Sequence, residues 1–399
     1  MVQQLSEIFS QFLRSEPIFR DRSALTISFT PESIPHREQQ IADLGRILAP
    51  ALRGARPSNV FIYGKPGTGK TLSARIVGTE LERVSAANGH NIRVIYTNCK
   101  LKKTADTEYR LLAELIRELG QQVPFTGLPT DQVYKVFFET IDSKQQTVIL
   151  IIDEIDALVA KTGDEVLYNL TRINQELRKA KLSIVGITND LGFIEKLDPR
   201  IRSSLSEEEL IFPPYNALQL SDILRSRAAI AFVQGAISDG VIEKAAALAA
   251  QEHGDARRAL DLLRVAGELA EREAETHVKL EHIDRAQAKI DLDRAIEIVK
   301  AQPRQSQAVL WAILRLAESN RCIETGAVFD AYEKVCSEVA LKPLTQRRVS
   351  DLIAELDLFG LITTRVISKG RYGRTRIISV NLPDLVLRKL RALLLQVFF

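Results

Sequence analysis

Gly64-Lys65-Pro66-Gly67-Thr68-Gly69-Lys70-Thr71 lies between a short apolar run, Asn59-Val-Phe-Ile-Tyr63, and helix-patterned sequence that begins at Lys70. The stretch matches GxxxxGK[ST], and a strand before with a helix after is the context in which that pattern forms a phosphate-binding loop. Glycines let backbone N–H groups turn inward onto phosphate oxygens, and the N-terminus of the following helix adds positive potential. In such a loop Lys70 reaches the β- and γ-phosphates and the Thr71 hydroxyl ligates Mg²⁺. Gly64, Gly67, Thr68, Gly69, Lys70, Thr71 and Leu72 are therefore the expected binding residues, with ATP or ADP and Mg²⁺ as cofactors.

Outward from the loop, the apolar runs Arg93-Val-Ile-Tyr-Thr-Asn98, Thr147-Val-Ile-Leu-Ile-Ile152 and Leu182-Ser-Ile-Val-Gly-Ile-Thr188 are separated by amphipathic sequence, and Glu209-Leu-Ile-Phe212 ends at Pro213-Pro214. Apolar runs without alternation, spaced by helices, read as buried parallel strands of an α/β sheet. After Tyr215 strand signals stop for about 150 residues, far beyond ordinary loop spacing. Residues 218–232, 239–251, 256–272 and 280–300 carry three-to-four-residue apolar spacing and read as a helical bundle, which Pro303 ends. Helices are then expected at 305–319, 325–340 and 345–358, short strands at 361–367 and 374–380, and a closing helix at 385–398. The domains expected are residues 1–214 (P-loop α/β ATPase), 215–302 (helical lid) and 303–399 (winged helix).

The bulk numbers bound the partners less than the motifs do. The chain has 399 residues, 45% hydrophobic and 26% charged, with a net charge of +3. That charge neither demands nor excludes nucleic acid. Three cysteines, Cys99, Cys322 and Cys336, form no CxxC pattern, so neither a disulfide framework nor a zinc site is expected. No signal-peptide pattern opens the sequence, and the run at 148–152 is too short to span a bilayer.

Asp153 and Glu154 follow an apolar strand. In line with a phosphate loop, the aspartate holds the Mg²⁺ shell and the glutamate polarises the attacking water; without the loop, the same two acids would merely solvate a strand tip. Asp156 reads as a helix cap. Asn189, at the end of a strand, is placed to orient water or touch the γ-phosphate, although asparagine is also a routine turn residue there. Arg257, in Gly254-Asp-Ala-Arg-Arg258, opens a bundle helix. A planar, permanently charged group there either draws the bundle onto the phosphates or serves as a surface salt-bridge arginine. Arg258 points elsewhere on the helix.

In the C-terminal stretch, the helices at 325–340 and 345–358 with a turn at Leu341-Lys-Pro-Leu344 fit a helix-turn-helix, and the hairpin makes it winged. Thr345, Arg347 and Arg348 open the second helix, where base-reading and phosphate-binding side chains belong. The hairpin holds Arg365, Lys369, Arg371, Arg374 and Arg376, with no acid from 363 to 376 and with Gly370 and Gly373 at its tip. Cations concentrated where DNA would lie favour DNA binding over a protein-docking winged helix.

With these pieces in order, the chain resembles the archaeal origin-recognition initiators, AAA+ ATPases related to eukaryotic origin-recognition subunits and to the helicase-loading cell-division-control protein. The resemblance rests on Pro35-His-Arg-Glu38, the phosphate loop, Ile151-Ile-Asp-Glu-Ile-Asp156, Thr188-Asn189-Asp190, Leu197-Asp-Pro-Arg-Ile-Arg-Ser-Ser204, Phe212-Pro-Pro-Tyr215, Gly254-Asp-Ala-Arg257 and the winged helix. It implies that Asn189 is sensor 1 and Arg257 sensor 2, that Tyr215 and Arg227 contact the nucleotide at the entry to the lid, and that residues 35–38 lie near the adenine. It implies DNA contact by the insertion at 101–141, through Lys100, Lys102, Lys103 and Arg110, and by the winged helix. The implied partners are double-stranded origin DNA, the MCM helicase and other initiator copies, with no membrane. The implied place is the archaeal cytoplasm at the nucleoid, and the implied activity is a weak ATPase used as a regulatory switch. One departure stands out: where many relatives carry a Ser-Arg-Cys or Ser-Arg-Phe triplet, this chain reads Arg202-Ser203-Ser204, so completion of hydrolysis by a neighbour is in doubt. A clamp-loader-type remodelling ATPase and an ATP-dependent transcription regulator remain the alternatives.

Overall fold

The computed structural model describes residue 9 and residues 16–31, 33–100, 107–124, 127–205, 207–318, 323–368 and 374–398. The chain divides into two compact units, residues 1–283 and 284–399.

The first unit is built on a five-stranded sheet: β1 (Asn59–Tyr63), β2 (Ile92–Asn98), β3 (Gln146–Asp153), β4 (Ala180–Thr188) and β5 (Glu207–Ile211). The spatial order is β2-β3-β4-β1-β5 and every pairing is parallel. This is the buried parallel sheet expected from the unbroken apolar runs; all eight residues of β3 are buried. One face is covered by α1 (Glu38–Leu48) and α2 (Lys70–Ala87), which follows the phosphate loop. The other carries α3 (Glu108–Glu118), α4 (Thr130–Ile141), α5 (Ile155–Thr162), α6 (Glu165–Arg172) and α7 (Pro199–Leu205). Register matters most for function. Tyr63 pairs with Thr188, and Asn98 with Asp153, which itself sits beside Ile187. The C-terminal ends of four strands therefore finish together, where ligands of open α/β sheets bind.

The same unit continues into α8 (Ala217–Ala231), α9 (Val241–Glu252) and α10 (Ala256–Arg272), which pack on one another and bury Leu220, Leu224, Ala245, Ala249, Leu263 and Ala266. Asn216 and Gln219 form a capping box that starts α8 directly after Tyr215. Residues 18–20 strap onto the end of this helix, with Arg20 N–H donating to the Ala231 carbonyl at 2.8 Å and Phe19 stacked on Phe232. Next comes α11 (Leu280–Ala301).

The second unit contains α12 (Arg304–Leu316), β6 (Ile323–Glu324), α13 (Thr325–Glu338), α14 (Gln346–Leu358), β7 (Thr363–Ser368), β8 (Arg374–Ser379) and α15 (Asp384–Phe398). Its core gathers Val309, Leu310, Ile313, Tyr332, Ile353, Ile378 and Leu390. The strands form an antiparallel sheet in the order β6-β8-β7. The two-residue β6 was not expected from sequence, because so short a piece carries no periodic signal. The Tyr332 hydroxyl binds Gln305 and accepts from Leu344 N–H, pinning the turn between α13 and α14. The fold class is thus an α/β AAA+ sheet domain with a helical lid and a C-terminal winged helix.

One local expectation is corrected. Asp156 does not cap a helix: the N-cap of α5 is Glu154, which makes no side-chain cap bond, and Asp156 instead accepts from the Thr188 hydroxyl at 2.9 Å. Thr345 is the N-cap of α14, its hydroxyl accepting from Arg348 N–H. Cys99 and Cys336 are buried free thiols, while Cys322 lies outside the described residues. Among the described residues no helix is long and apolar enough to cross a membrane.

Candidate functional site

A cavity of about 480 Å³ opens at the C-terminal ends of the strands, between the phosphate loop and the lid helices of the same unit. Its floor is the phosphate loop. Gly67 has φ +71, and a Cβ there would land 1.6 Å from Asp255 Oδ1, so only glycine lets α10 come this close. The Ala256 N–H donates to the Gly67 carbonyl at 3.2 Å. The lid thus touches the loop directly.

Lys70 is buried, and its ammonium donates to the carbonyls of Gly64 (2.7 Å) and Lys65 (2.8 Å) and to Asn189 Oδ1 (2.9 Å). Burial pushes this ammonium down to about 8, against the pull of Asp153. Leu72, one residue beyond Thr71, also lines the cavity. Asn189, at the end of β4, is held from behind: Thr188 hydroxyl binds Asp156 and accepts from Asp190 N–H at 3.0 Å.

Asp153 ends β3 buried, and among the described residues three donors meet on its carboxylate. Thr71 Oγ1 (2.7 Å) and Tyr96 Oη (2.8 Å) donate to Oδ2, and Glu154 N–H donates to Oδ1 at 3.0 Å. Glu154 has φ +55, a left-handed conformation that a non-glycine residue adopts at a cost, and its carboxylate pairs with Lys100 Nζ at 3.3 Å. No cluster of three or more His, Cys, Asp or Glu side chains able to hold a metal exists among the described residues. A hydroxyl and one carboxylate beside a phosphate loop instead fit Mg²⁺, which keeps waters and takes phosphate oxygens.

Arg257 is exposed and lines the cavity, its backbone N–H bonded at 2.7 Å to the capping Asp255 carboxylate. Arg258 turns away and pairs with Glu252 at 3.1 Å. Phe29, Ile34, Tyr215, Ile223 and Leu260 form an apolar compartment suited to a base. Arg227 is buried beside it, its guanidinium carbon 4.4 Å from the centroid of the Phe29 ring, and its Nη1 has no hydrogen-bond partner among the described residues. A buried orphan donor at the edge of an apolar compartment fits a ligand with acceptors there.

The 35–38 segment divides. Pro35 lines the cavity, whereas Arg37 is buried with its guanidinium on the carbonyls of Thr68 (2.8 Å), His36 (2.9 Å) and Pro213, and it lies face-on to Tyr215 at 3.8 Å. Sequence reading singled out neither Phe29 nor Tyr96, and took Arg37 only as part of the 35–38 segment. Tyr96 faces Asp153 only because β2 lies beside β3, a pairing that no local pattern announces.

The basic residues expected to face DNA are spread thinly. Lys102, Lys103, Lys369 and Arg371 lie outside the described residues, and Arg374 opens β8 with its side chain undescribed. Arg110 sits at the start of α3, half-buried, its N–H on Thr107 Oγ1. Arg347 and Arg348 are exposed at the start of α14. Arg348 is paired with Asp351 (3.7 Å) and Glu355 (3.6 Å). Arg376 ties β8 to α14 through the Ser350 carbonyl at 3.0 Å.

Three family models match in chain order. They are the ATPase family associated with various cellular activities (AAA) at residues 60–214, the Cdc6 AAA+ ATPase-type lid domain at 221–288, and the CDC6 C-terminal winged helix domain at 297–389. An ORC1-type DNA replication protein 1 of Methanosarcina mazei is 53% identical over 384 residues, covering 96% of this chain and 92% of that protein. An ORC1-type DNA replication protein of Pyrococcus furiosus is 51% identical over 390 residues, with the same coverage of 96% and 92%. Among solved structures, the Aeropyrum pernix ORC1 protein in complex with DNA superposes with a TM-score of 0.83 at 45% identity, covering 94% of this chain and 97% of that one.

Proposed function

The chain belongs to the ORC1/Cdc6-type family of DNA replication proteins, and from that premise we propose that it is an ATP-switched initiator. In this reading it binds ATP with Mg²⁺, hydrolyses it slowly, recognises double-stranded origin DNA through the winged helix and the 101–141 insertion, and helps load the MCM helicase. The reading rests above all on one observation: the phosphate loop carries α10 directly on Gly67, so whatever fills the loop also meets the lid.

The geometry supports a role for each residue. Lys70 neutralises the β- and γ-phosphates, exchanging its carbonyl partners for phosphate oxygens. Asn189 is released from Lys70 in that exchange and is free to turn to the γ-phosphate or to the attacking water. Arg257 reaches from the lid to the phosphates and makes the lid position depend on the nucleotide. Arg227 and Tyr215 hold the base end. Thr71 and Asp153 would hold Mg²⁺, which supplies charge neutralisation on the phosphates when bound. Glu154 accepts the proton of the attacking water once it leaves Lys100. That ion pair, together with serine at 203 in the Arg202-Ser203-Ser204 segment, supports slow, timing-type turnover.

DNA binding is supported by the relative solved with DNA and by the exposed arginines opening α14. Genome-wide mapping of bound DNA tests the reading: sites at replication start points are expected. Binding confined to scattered promoters, with no effect of depletion on helicase loading, would replace it with a transcription regulator of the same fold.

A further inference from the structure

We propose that Tyr96 is a positioning residue for the Asp153 carboxylate and thereby sets how tightly the nucleotide site takes Mg²⁺. The inference rests on the reading of the cleft as a Mg²⁺–nucleotide site.

Tyr96 lies on β2 at the register position of Ile151, two residues short of Asp153 on the neighbouring strand. That offset lets the phenol reach forward over the strand end, and its Oη meets Asp153 Oδ2 at 2.8 Å. The same oxygen accepts from Thr71 Oγ1 at 2.7 Å, while Oδ1 accepts from Glu154 N–H. The three donors are not equivalent. Thr71 must turn an oxygen lone pair to the cation, so its bond to Asp153 is open to rearrangement when the ion arrives. Glu154 N–H belongs to a strained, left-handed residue whose side chain has its own task. Only the Tyr96 hydroxyl has no ligand of its own to serve, so it alone holds Oδ2 through the change.

Two features equip the phenol for this. A phenol, which ordinarily ionises at about 10, remains a donor at neutral pH. The Arg75 guanidinium carbon sits 5.1 Å from its ring centroid, and Arg75 lies one helical turn beyond Thr71 on α2. The ring is thus clamped from the helix that carries the loop. Carboxylate torsions are broad and roughly two-fold, so without the hydroxyl Asp153 is free to swing off the direction the ion requires.

The test is a Mg²⁺ titration of fluorescent ADP binding to the full chain and to Tyr96→Phe, which keeps the ring and its stacking. In EDTA the two proteins bind ADP within about twofold of each other. The Mg²⁺ concentration at the midpoint of the magnesium-dependent gain rises about tenfold in the variant, the scale on which lost outer-shell partners weaken metal sites. Arg75→Met, which keeps the hydroxyl but loosens the ring, raises the midpoint clearly less than Tyr96→Phe does. An unchanged midpoint in Tyr96→Phe overturns the proposal, as does an equal rise in Arg75→Met, which would make ring packing the cause. If the parent protein binds no ADP at all, the reading of the cleft fails instead, and the two failures are separable.

Discussion

The nucleotide cleft and the C-terminal winged-helix unit both depend on cations, and they hold them in opposite ways. In the cleft Arg37, Lys70 and Arg227 are 2%, 6% and 7% exposed. Lys70 and Arg37 each spend their donors on several fixed oxygens. In the winged helix Arg348 is 53% exposed and shares its charge with two carboxylates, and Arg347 beside it stands in solvent. Buried, convergent groups act singly, because removing one strands its partners in low dielectric. Exposed groups act as a sum, screened by salt. The first arrangement suits a ligand of fixed shape, the second a long polyanion met at many points.

The comparison breaks first at Lys70. Lys70→Ala is expected to weaken ATP binding by about three orders of magnitude, since a buried charge-assisted contact to phosphate is lost without replacement. Wild-type affinity should also depend on pH. The free ammonium sits at about 8 and bound phosphate raises it, so binding takes up a proton above that value. Affinity is therefore flat below pH 7 and falls by at most about tenfold per unit as pH climbs past 8. Lys70→Arg, whose charge does not titrate, should lose that slope. Titrations from pH 6 to 10 decide it, and a flat wild-type profile would mean that Lys70 does not meet phosphate.

Next in size is Glu154→Gln. Loss of a general base costs about 10² in turnover while nucleotide affinity stays near that of the parent. Single-turnover phosphate release measures the first and equilibrium binding the second. Undiminished turnover would place the base elsewhere and leave the Lys100 pair as a surface contact. Comparable in free energy is Arg37→Met, which leaves the Thr68 and Pro213 carbonyls without their donor. A cost of roughly 2–4 kcal/mol is expected, read as a fall of roughly 5–10 °C in Tm by calorimetry of the full chain. An unshifted transition would show that water replaces the guanidinium there, which is how an exposed cation behaves.

What could be seen in the sequence follows the same divide between local and assembled features. Gly64 to Thr71 was legible because a strand, a turn and a helix N-terminus are contiguous and each residue type has one physical reason to be there. Asp153 and Glu154 were legible by their place at the end of an apolar run. Tyr96 was not, because its role depends on β2 lying beside β3, some fifty residues away in the chain and undeclared by either strand. Arg37 stood in a recognisable segment, but its work under the phosphate loop depends on Pro213 arriving from the far end of the sheet. Asp156 was misassigned for a related reason. Acids at helix starts have several competing partners, and a tertiary neighbour, Thr188, won this one.

The finest division lies within the winged helix, between two adjacent arginines. If that unit binds DNA, side chains against phosphate release counterions, and each such contact contributes about one to the slope of log affinity against log salt. Among the described residues Arg347 has no carboxylate partner, and it is the better phosphate contact. Arg348 sits against Asp351 and Glu355, two anions that no phosphate backbone would approach, so its face of α14 points either to base edges or to solvent. Arg347→Ala should weaken binding about two- to fivefold on any sequence and lower the salt slope by about one. Arg348→Ala should leave the slope unchanged, with any loss confined to the preferred sequence. Anisotropy titrations at four salt concentrations on one specific and one scrambled duplex separate the two, and equal slope changes would mean that the Arg348 ion pairs dissolve on DNA and that both arginines meet phosphate.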